Sequence, residues 1–310
     1  MTIIQFEYII AVDNFRHFGK AAEACFVTQP TLSMQVQKLE DQLGVLIFDR
    51  SKQPVVPTDI GRRIIAQARL VVGESKRVQE IIAEEKGEVA GELSIGIIPT
   101  LSPYLLPLFI HNFTERYPKV KVTVYELITE EVVRRLKNEV LDIGIIVTPY
   151  EDPGIISKTM FYEEFFAYVS HRSKLFEKET LVADDIGEDD IWLLNEGHCM
   201  REQVINLCKN YKDRQTQFKY ESGSLEALKK IVDMHGGMTM LPELATLDLA
   251  PSKKQFLKRF KEPRPVREVS LVMHRSYLKR KLVEVLHKEI LAAIPDYINI
   301  QKNKEVIKWK

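Results

Sequence analysis

The chain opens on a run that decides the fold of its first part. It reads Phe18-Gly19-Lys20-Ala21-Ala22-Glu23-Ala24-Cys25, then Val27-Thr28-Gln29, then Pro30-Thr31-Leu32-Ser33-Met34-Gln35-Val36-Gln37-Lys38-Leu39-Glu40. The first block reads as a helix whose small alanines suit close packing. Val27-Thr28-Gln29 is a turn, and Pro30 fits the first position of the next helix, where a missing N–H costs nothing. Leu32, Val36 and Leu39 recur at helical spacing, and Gly44 is a natural C-terminal cap. Helix, short turn, helix is the helix-turn-helix pattern. Gln29, at the start of the second helix, and Thr31, Ser33 and Gln35 along it are then expected to face outward, where a recognition helix reads base edges. Upstream, Phe6, Ile9 and Ile10 begin a short amphipathic helix, and Cys25 reads as a core residue.

Length and composition bound the rest. The chain has 310 residues, enough for two or three cored domains, and its 44 basic and 44 acidic residues cancel, so global charge names no partner. Three cysteines argue against a disulfide framework and for a reducing cytosol. Glu7 and Asp13 interrupt the apolar N-terminus and no basic run precedes it, so no signal peptide is expected. No stretch has the length of a membrane span.

Ile64, Ala68, Val71, Ser75, Val78 and Ile82 alternate four and three apart, which reads either as the seam of a short coiled coil or as a stripe packed on its own domain. After a hinge expected over Glu84-Glu85-Lys86-Gly87 to Gly91, the pattern becomes alternating strands and helices. Strands are expected over 93–98, 120–127 and 141–147, and helices over 105–117 and 130–139. A second α/β unit follows from about Glu163, with strands at 191–194 and 218–221 and a helix over 225–234. Residues 268–274 and a helix over 281–294 return to the first unit. This is an α/β region with a largely parallel sheet. The tail, residues 301–310, is polar and basic and reads as solvated.

Asn195-Glu196-Gly197-His198-Cys199-Met200-Arg201-Glu202-Gln203-Val204-Ile205-Asn206-Leu207-Cys208 holds two of the three cysteines. The apolar run Ile191-Trp192-Leu193-Leu194 before it reads as a buried strand, and residues 200–207 look helical. Cys199 is then near a helix N-terminus, where unpaired N–H groups lower a thiol pKa; His198 and Arg201 would add positive charge. The alternative is two ordinary core cysteines. Zinc is not expected, since structural sites use closer cysteine pairs plus further ligands. Ligands of open α/β sheets bind beyond strand C-termini, where Thr100, Thr129, His198 and Cys199 all fall.

From Ala21-Ala22 through Thr28-Gln29-Pro30-Thr31-Leu32-Ser33 to Gln37-Lys38-Leu39-Glu40-Asp41-Gln42-Leu43-Gly44-Val45-Leu46-Ile47-Phe48-Asp49-Arg50, with Thr58-Asp59-Ile60-Gly61 after it, the sequence resembles the winged helix-turn-helix of LysR-type transcriptional regulators. The two α/β units are similar to that family's two-lobed effector domain, of periplasmic-binding-protein type. The resemblance implies a winged helix-turn-helix head over 1–58, a dimer-forming linker helix over 59–87, and a regulatory domain over 91–300. Residues 1–60 hold five basic and seven acidic residues, whereas 50–77 hold seven basic and two acidic, so phosphate contacts fall to the wing, Arg50 above all, and to the next helix. Gly197-His198-Cys199-Met200-Arg201-Glu202-Gln203, with Cys208 downstream, resembles the redox motif of the family's peroxide sensors. That implies Cys199 as peroxidatic thiol and Cys208 as resolving thiol, with Thr100, Thr129 and His198 holding peroxide.

The reading is a cytoplasmic, homo-oligomeric, DNA-binding regulator that senses hydrogen peroxide through Cys199 and Cys208, without cofactor or metal. RNA polymerase is an expected partner and a membrane is not. Three rivals remain. One is a LysR-type regulator of a small metabolite with structural cysteines. A thiol peroxidase is opposed by the head, the linker helix and the lack of a Pro-x-x-x-Thr-x-x-Cys signature. A solute-binding protein is opposed by the missing signal peptide.

Overall fold

The structure, a computed structural model, describes residues 1–85, 89–186, 191–208, 222–275, 280–299 and 304–309. The chain divides into two compact units, Met1–Gly91 and Glu92–Lys310. Among the described residues no helix is long and apolar enough to cross a membrane. The expected strand at 218–221 lies outside the described residues.

The first unit contains α1 (Ile3–Phe15), α2 (Phe18–Ala24), α3 (Gln29–Leu43), the strands β1 (Phe48–Asp49) and β2 (Val56–Pro57), and α4 (Asp59–Glu85). Thr28 caps α3 by accepting from the Thr31 N–H, and Gly44 ends the helix in the left-handed conformation at φ 68°. The helix starts one residue earlier than the sequence suggests, which puts Pro30 at its second position, also free of any N–H requirement. Leu32, Val36 and Leu39 are fully buried against Ile9, Val12, Ala21, Ile47 and Phe48. β1 and β2 form a short antiparallel wing.

Two polar devices lock the wing. Buried Glu40 accepts from the Ile47 N–H at 2.7 Å and the Phe48 N–H at 3.1 Å through Oε1, and from Arg50 at 2.8 Å through Oε2. Thr58 donates to the Leu46 carbonyl at 2.7 Å and accepts from the Gly61 N–H at 2.9 Å. Gly61 is needed there because a Cβ would lie 2.0 Å from the Ile47 carbonyl oxygen. That close approach is the physical content of the Thr-x-x-Gly pattern.

The second unit contains β3 (Gly91–Ile97), α5 (Ser102–Arg116), β4 (Val120–Glu126), α6 (Thr129–Lys137), β5 (Ile143–Thr148), β6 (Ile155–Val169), β7 (Thr180–Leu181), α7 (Cys199–Leu207), α8 (Leu225–His235), β8 (Met238–Pro242), β9 (Leu257–Phe260), β10 (Arg264–His274), α9 (Arg280–Ala293) and β11 (Lys304–Val306). Helix α5 starts before the expected 105, because the Ser102-Pro103 pair supplies its first turn. The strands follow the order β4-β3-β5-β10-β6-β9-β7, with β11 on β10 and β8 on β6.

The sheet is not largely parallel. β3 pairs parallel with β5, but β10 runs antiparallel to both β5 and β6, and β6 antiparallel to β8 and β9. The 15-residue β6 serves both lobes: its first part pairs with β10 and its last residues, from Phe165 on, with β8. Ile191-Trp192-Leu193-Leu194 is no strand either. Only a parallel bridge from Ile191 to Met238 forms, with the Trp192 N–H donating to the Met238 carbonyl at 2.8 Å. The run is apolar because it lines the bed under α7, where Trp192, Leu193 and Leu194 face Met200, Val204, Leu225 and Leu228.

Among the described tail residues, 304–309, the chain is not simply solvated. β11 pairs parallel with β10, and Ile307 and Trp309 are buried. The polar composition hid two apolar anchors at alternate positions.

Gly61→Ala should cost about 1–3 kcal/mol, as overpacking against fixed backbone does. Urea unfolding followed by the far-ultraviolet signal checks this. A stability equal to that of the unaltered chain would contradict the packing described.

Candidate functional site

In the first unit, α3 presents Pro30, Thr31, Met34, Gln37 and Lys38 as exposed, at helical spacing on one face. Gln29 is also exposed. Ser33 and Gln35 sit half-buried on its flanks. Ser33 Oγ accepts from Arg50 at 3.2 Å, and Gln35 accepts from the Gln5 amide at 3.3 Å. Thr31 shares a hydrogen bond of 2.9 Å with the capping Thr28. The expectation that Gln35 faces fully outward is therefore corrected: two residues past Ser33, it falls on the side of α3 that meets α1. The spacing from Thr31 would have found Met34, Gln37 and Lys38. Arg50 is held between Glu40 and Ser33 and lies over the Phe18 ring, 4.9 Å from its centre, with 38% of its side chain exposed.

In the second unit the site forms where β6 passes from one lobe to the other. Glu163 on β6 is the register partner of Arg267 on β10. Both are fully buried, with guanidinium nitrogens 2.7 and 2.8 Å from Glu163 Oε1. An opposite-charge pair facing across two strands holds its geometry from both backbones. The second carboxylate oxygen accepts from the Leu244 N–H at 3.0 Å. The other face of Arg267 donates to Thr100, to Oγ1 at 2.9 Å and to its carbonyl at 3.1 Å.

Cys199 is the first residue of α7 and is buried. Its Sγ shares a hydrogen bond with Thr129 Oγ1 at 3.4 Å. Burial pushes its thiol pKa up, and the Thr129 hydroxyl and Arg267 charge oppose that only partly. The expectation of a lowered thiol pKa is thus corrected, because desolvation in a closed pocket outweighs the helix N-terminus. The cation is also a different one. Arg201 donates to the Leu194 carbonyl at 3.1 Å, pinning the loop before α7, while Arg267 supplies the charge. Buried His198 has its pKa lowered by desolvation, with Glu126 pulling the other way, and so is neutral near pH 7. Its ring lies beside Gly223, where a Cβ would come within 3.0 Å of Nε2.

The structure brings Thr129, Cys199, Arg267 and Thr100 into one buried network, with His198 adjacent in the chain. Arg267 and Glu163 were missed by sequence reasoning. Each stands beside a second charge, in Glu163-Glu164 and in Arg267-Glu268, so nothing in the sequence marked out which of the two is buried. Cys208 caps the far end of α7, buried, its thiol pushed up to about 12 by desolvation. Nine residues of helix separate the cysteines by roughly 13 Å. The three cysteines are free.

Comparison with known proteins gives the family. The regions matched are "Bacterial regulatory helix-turn-helix protein, lysR family" over residues 3–62 and "LysR substrate binding domain" over residues 86–295. The chain is 33% identical over 272 residues to the hydrogen peroxide-inducible genes activator of Haemophilus influenzae, covering 88% of this chain and 90% of that one. It is 32% identical over 304 residues to the DNA-binding transcriptional dual regulator OxyR of Escherichia coli K12, covering 96% and 98%. Among solved structures, full-length OxyR of Pseudomonas aeruginosa, a Cys-to-Asp variant, aligns with a TM-score of 0.78 at 32% identity, covering 94% of this chain and 98% of that one. With a helix-turn-helix head, a two-lobed effector fold and these relatives, the chain belongs to the LysR family of bacterial regulators, in its OxyR branch.

Proposed function

We propose that this chain is a DNA-binding transcription regulator that senses hydrogen peroxide by oxidation of Cys199 and a disulfide from Cys199 to Cys208. One observation carries the reading: a thiol in a buried pocket of hydroxyls and one cation starts a helix that ends on a second buried thiol. The names of the relatives support the signal.

The first step breaks the peroxide O–O bond and forms an S–O bond at Cys199. The thiol proton leaves with the departing hydroxyl as water, giving a sulfenic acid. Thr100 accepts from Arg267, so its own hydrogen is available to a peroxide oxygen. Thr129 and neutral His198 complete the polar wall. Arg267 favours the thiolate as the proton leaves, which matters because the resting thiol is protonated. In the second step the Cys208 thiol attacks the sulfenic sulfur and a second water leaves. A disulfide needs Cα atoms within about 7 Å, so α7 must unwind first.

In the first unit, the exposed face of α3 enters the major groove, with Gln29 and Thr31 at the base edges, Ser33 beside them and Arg50 at phosphate. A homo-oligomer suits the pairing of two heads on two half-sites and the recruitment of RNA polymerase.

One equivalent of peroxide should remove two hydrogen atoms from the mass of the reduced chain and leave Cys25 alone alkylatable. A mass gain of one oxygen with Cys208 still alkylatable would contradict the disulfide.

Thr129→Val removes the hydrogen bond that favours the thiolate. Its peroxide reaction should slow roughly tenfold at pH 7, the worth of about one hydrogen bond to a charged group, and recover at higher pH. Stopped-flow rates across pH read this directly. An unchanged profile would remove Thr129 from the site.

Arg50→Ala should weaken specific and random duplexes alike and flatten the log–log salt dependence by about one unit. A slope identical to that of the unaltered head would place Arg50 wholly in service of Glu40.

A further inference from the structure

The last described residues form a strap across the site. After β11 pairs with the start of β10, the Ile307 N–H donates to the Val266 carbonyl at 2.9 Å. Val266 immediately precedes Arg267, the buried cation. On its other side the strap accepts from α7: Gln203 Nε2 donates to the Ile307 carbonyl at 2.8 Å and Asn206 Nδ2 to the Lys308 carbonyl at 2.9 Å. Two buried side chains anchor it. Trp309 stacks on Tyr150, ring centres 5.8 Å apart, and Ile307 is only 7% exposed.

We infer that Gln203 and Asn206 are positioning residues that couple α7 to this C-terminal strap, so that the strap holds α7 helical in the reduced protein and is released when the disulfide forms. The inference rests on the disulfide proposed above. Gln203 and Asn206 lie between the two cysteines on the segment that must unwind. Their side chains cannot keep both strap carbonyls in place once that turn geometry is lost. Gln203 also carries a bias toward release. Its Oε1 is buried with no partner among the described residues, an unfavourable state that exposure to water would relieve.

The strap therefore sets how readily the sulfenic acid at Cys199 meets Cys208, without touching the first oxidation. Loosening it speeds resolution and leaves peroxide reactivity alone. A merely structural contact would change both rates or neither.

The test uses the full chain with Trp192→Phe, which leaves Trp309 as the remaining tryptophan. Emission and acrylamide quenching are read before and after one equivalent of peroxide, with the mass recorded on the same samples. The expected result is a red shift and several-fold greater quenching once the disulfide is present, and no change in a Cys208→Ser version. Asn206 is exposed, so Asn206→Ala leaves the fold intact. It should speed disulfide formation from the sulfenic acid about fivefold, as the loss of one hydrogen bond does, with sulfenic acid forming at its usual rate. Hydrogen exchange at residues 304–309 of the unaltered chain should rise on oxidation. A confirmed disulfide with Trp309 emission unmoved overturns the coupling alone. Equal resolution rates with and without the Asn206 amide overturn it too. If no disulfide forms, the functional reading itself fails and the coupling falls with it.

Discussion

The buried pair of Arg267 and Glu163 is the constraint on which the effector unit depends. It sits where β6 changes partner from β10 to β8, so it fixes the strand register at the handover. A fully buried ion pair gives little net stability, since desolvation of both groups offsets their attraction, yet loss of one partner costs about 3–5 kcal/mol. What it provides here is placement. Glu163 aims the guanidinium, the guanidinium fixes Thr100, and the remaining field reaches Cys199. A lysine could not reproduce this, because the contacts use the separate nitrogens of a planar fork.

The same pocket makes a protonated thiol compatible with the proposed sensing role of Cys199. A thiol at its ordinary or lowered pKa would react with many electrophiles whenever it was exposed. Burial holds Cys199 in the neutral form, and the Arg267 charge and Thr129 hydroxyl reward deprotonation inside the pocket. Selectivity for a small oxidant then follows from access, and speed from preorganised groups. Helix α7 adds the second constraint. About 13 Å of helical rise separates two thiols that the proposed disulfide would bring within about 7 Å, so that bond cannot form while the helix stands.

Much of the first unit was legible in the sequence, because its signals are local. Pro30, Thr28 and Gly44 are read from residues within a few positions of each other, and Leu32, Val36 and Leu39 lie on one helical face. Thr58 and Gly61 were legible as a pattern, though their meaning needed the Ile47 carbonyl. The effector site was legible only in its local parts, the Cys199 to Cys208 segment and the strand-end threonines. Arg267 and Glu163 lie 104 residues apart in the chain. No periodicity joins them, and only the β6–β10 register does. Ile191-Trp192-Leu193-Leu194 misled because a buried lining and a buried strand share one composition. The tail misled because Ile307 and Trp309 are a minority among lysines, and burial depends on the β10 edge that receives them. The thiol misled because a helix N-terminus is visible in sequence and desolvation is not.

The central claim is that α7 is helical when both thiols are free and cannot remain so when they are joined. Amide hydrogen exchange across residues 199–208, measured on the reduced chain and on the disulfide form, tests this most directly. Slow exchange from Gln203 to Cys208 in the reduced form and near-complete loss of that protection in the oxidised form is the expected result. Equal protection in the two states, with the Cys199–Cys208 bond verified in the same sample, would contradict it.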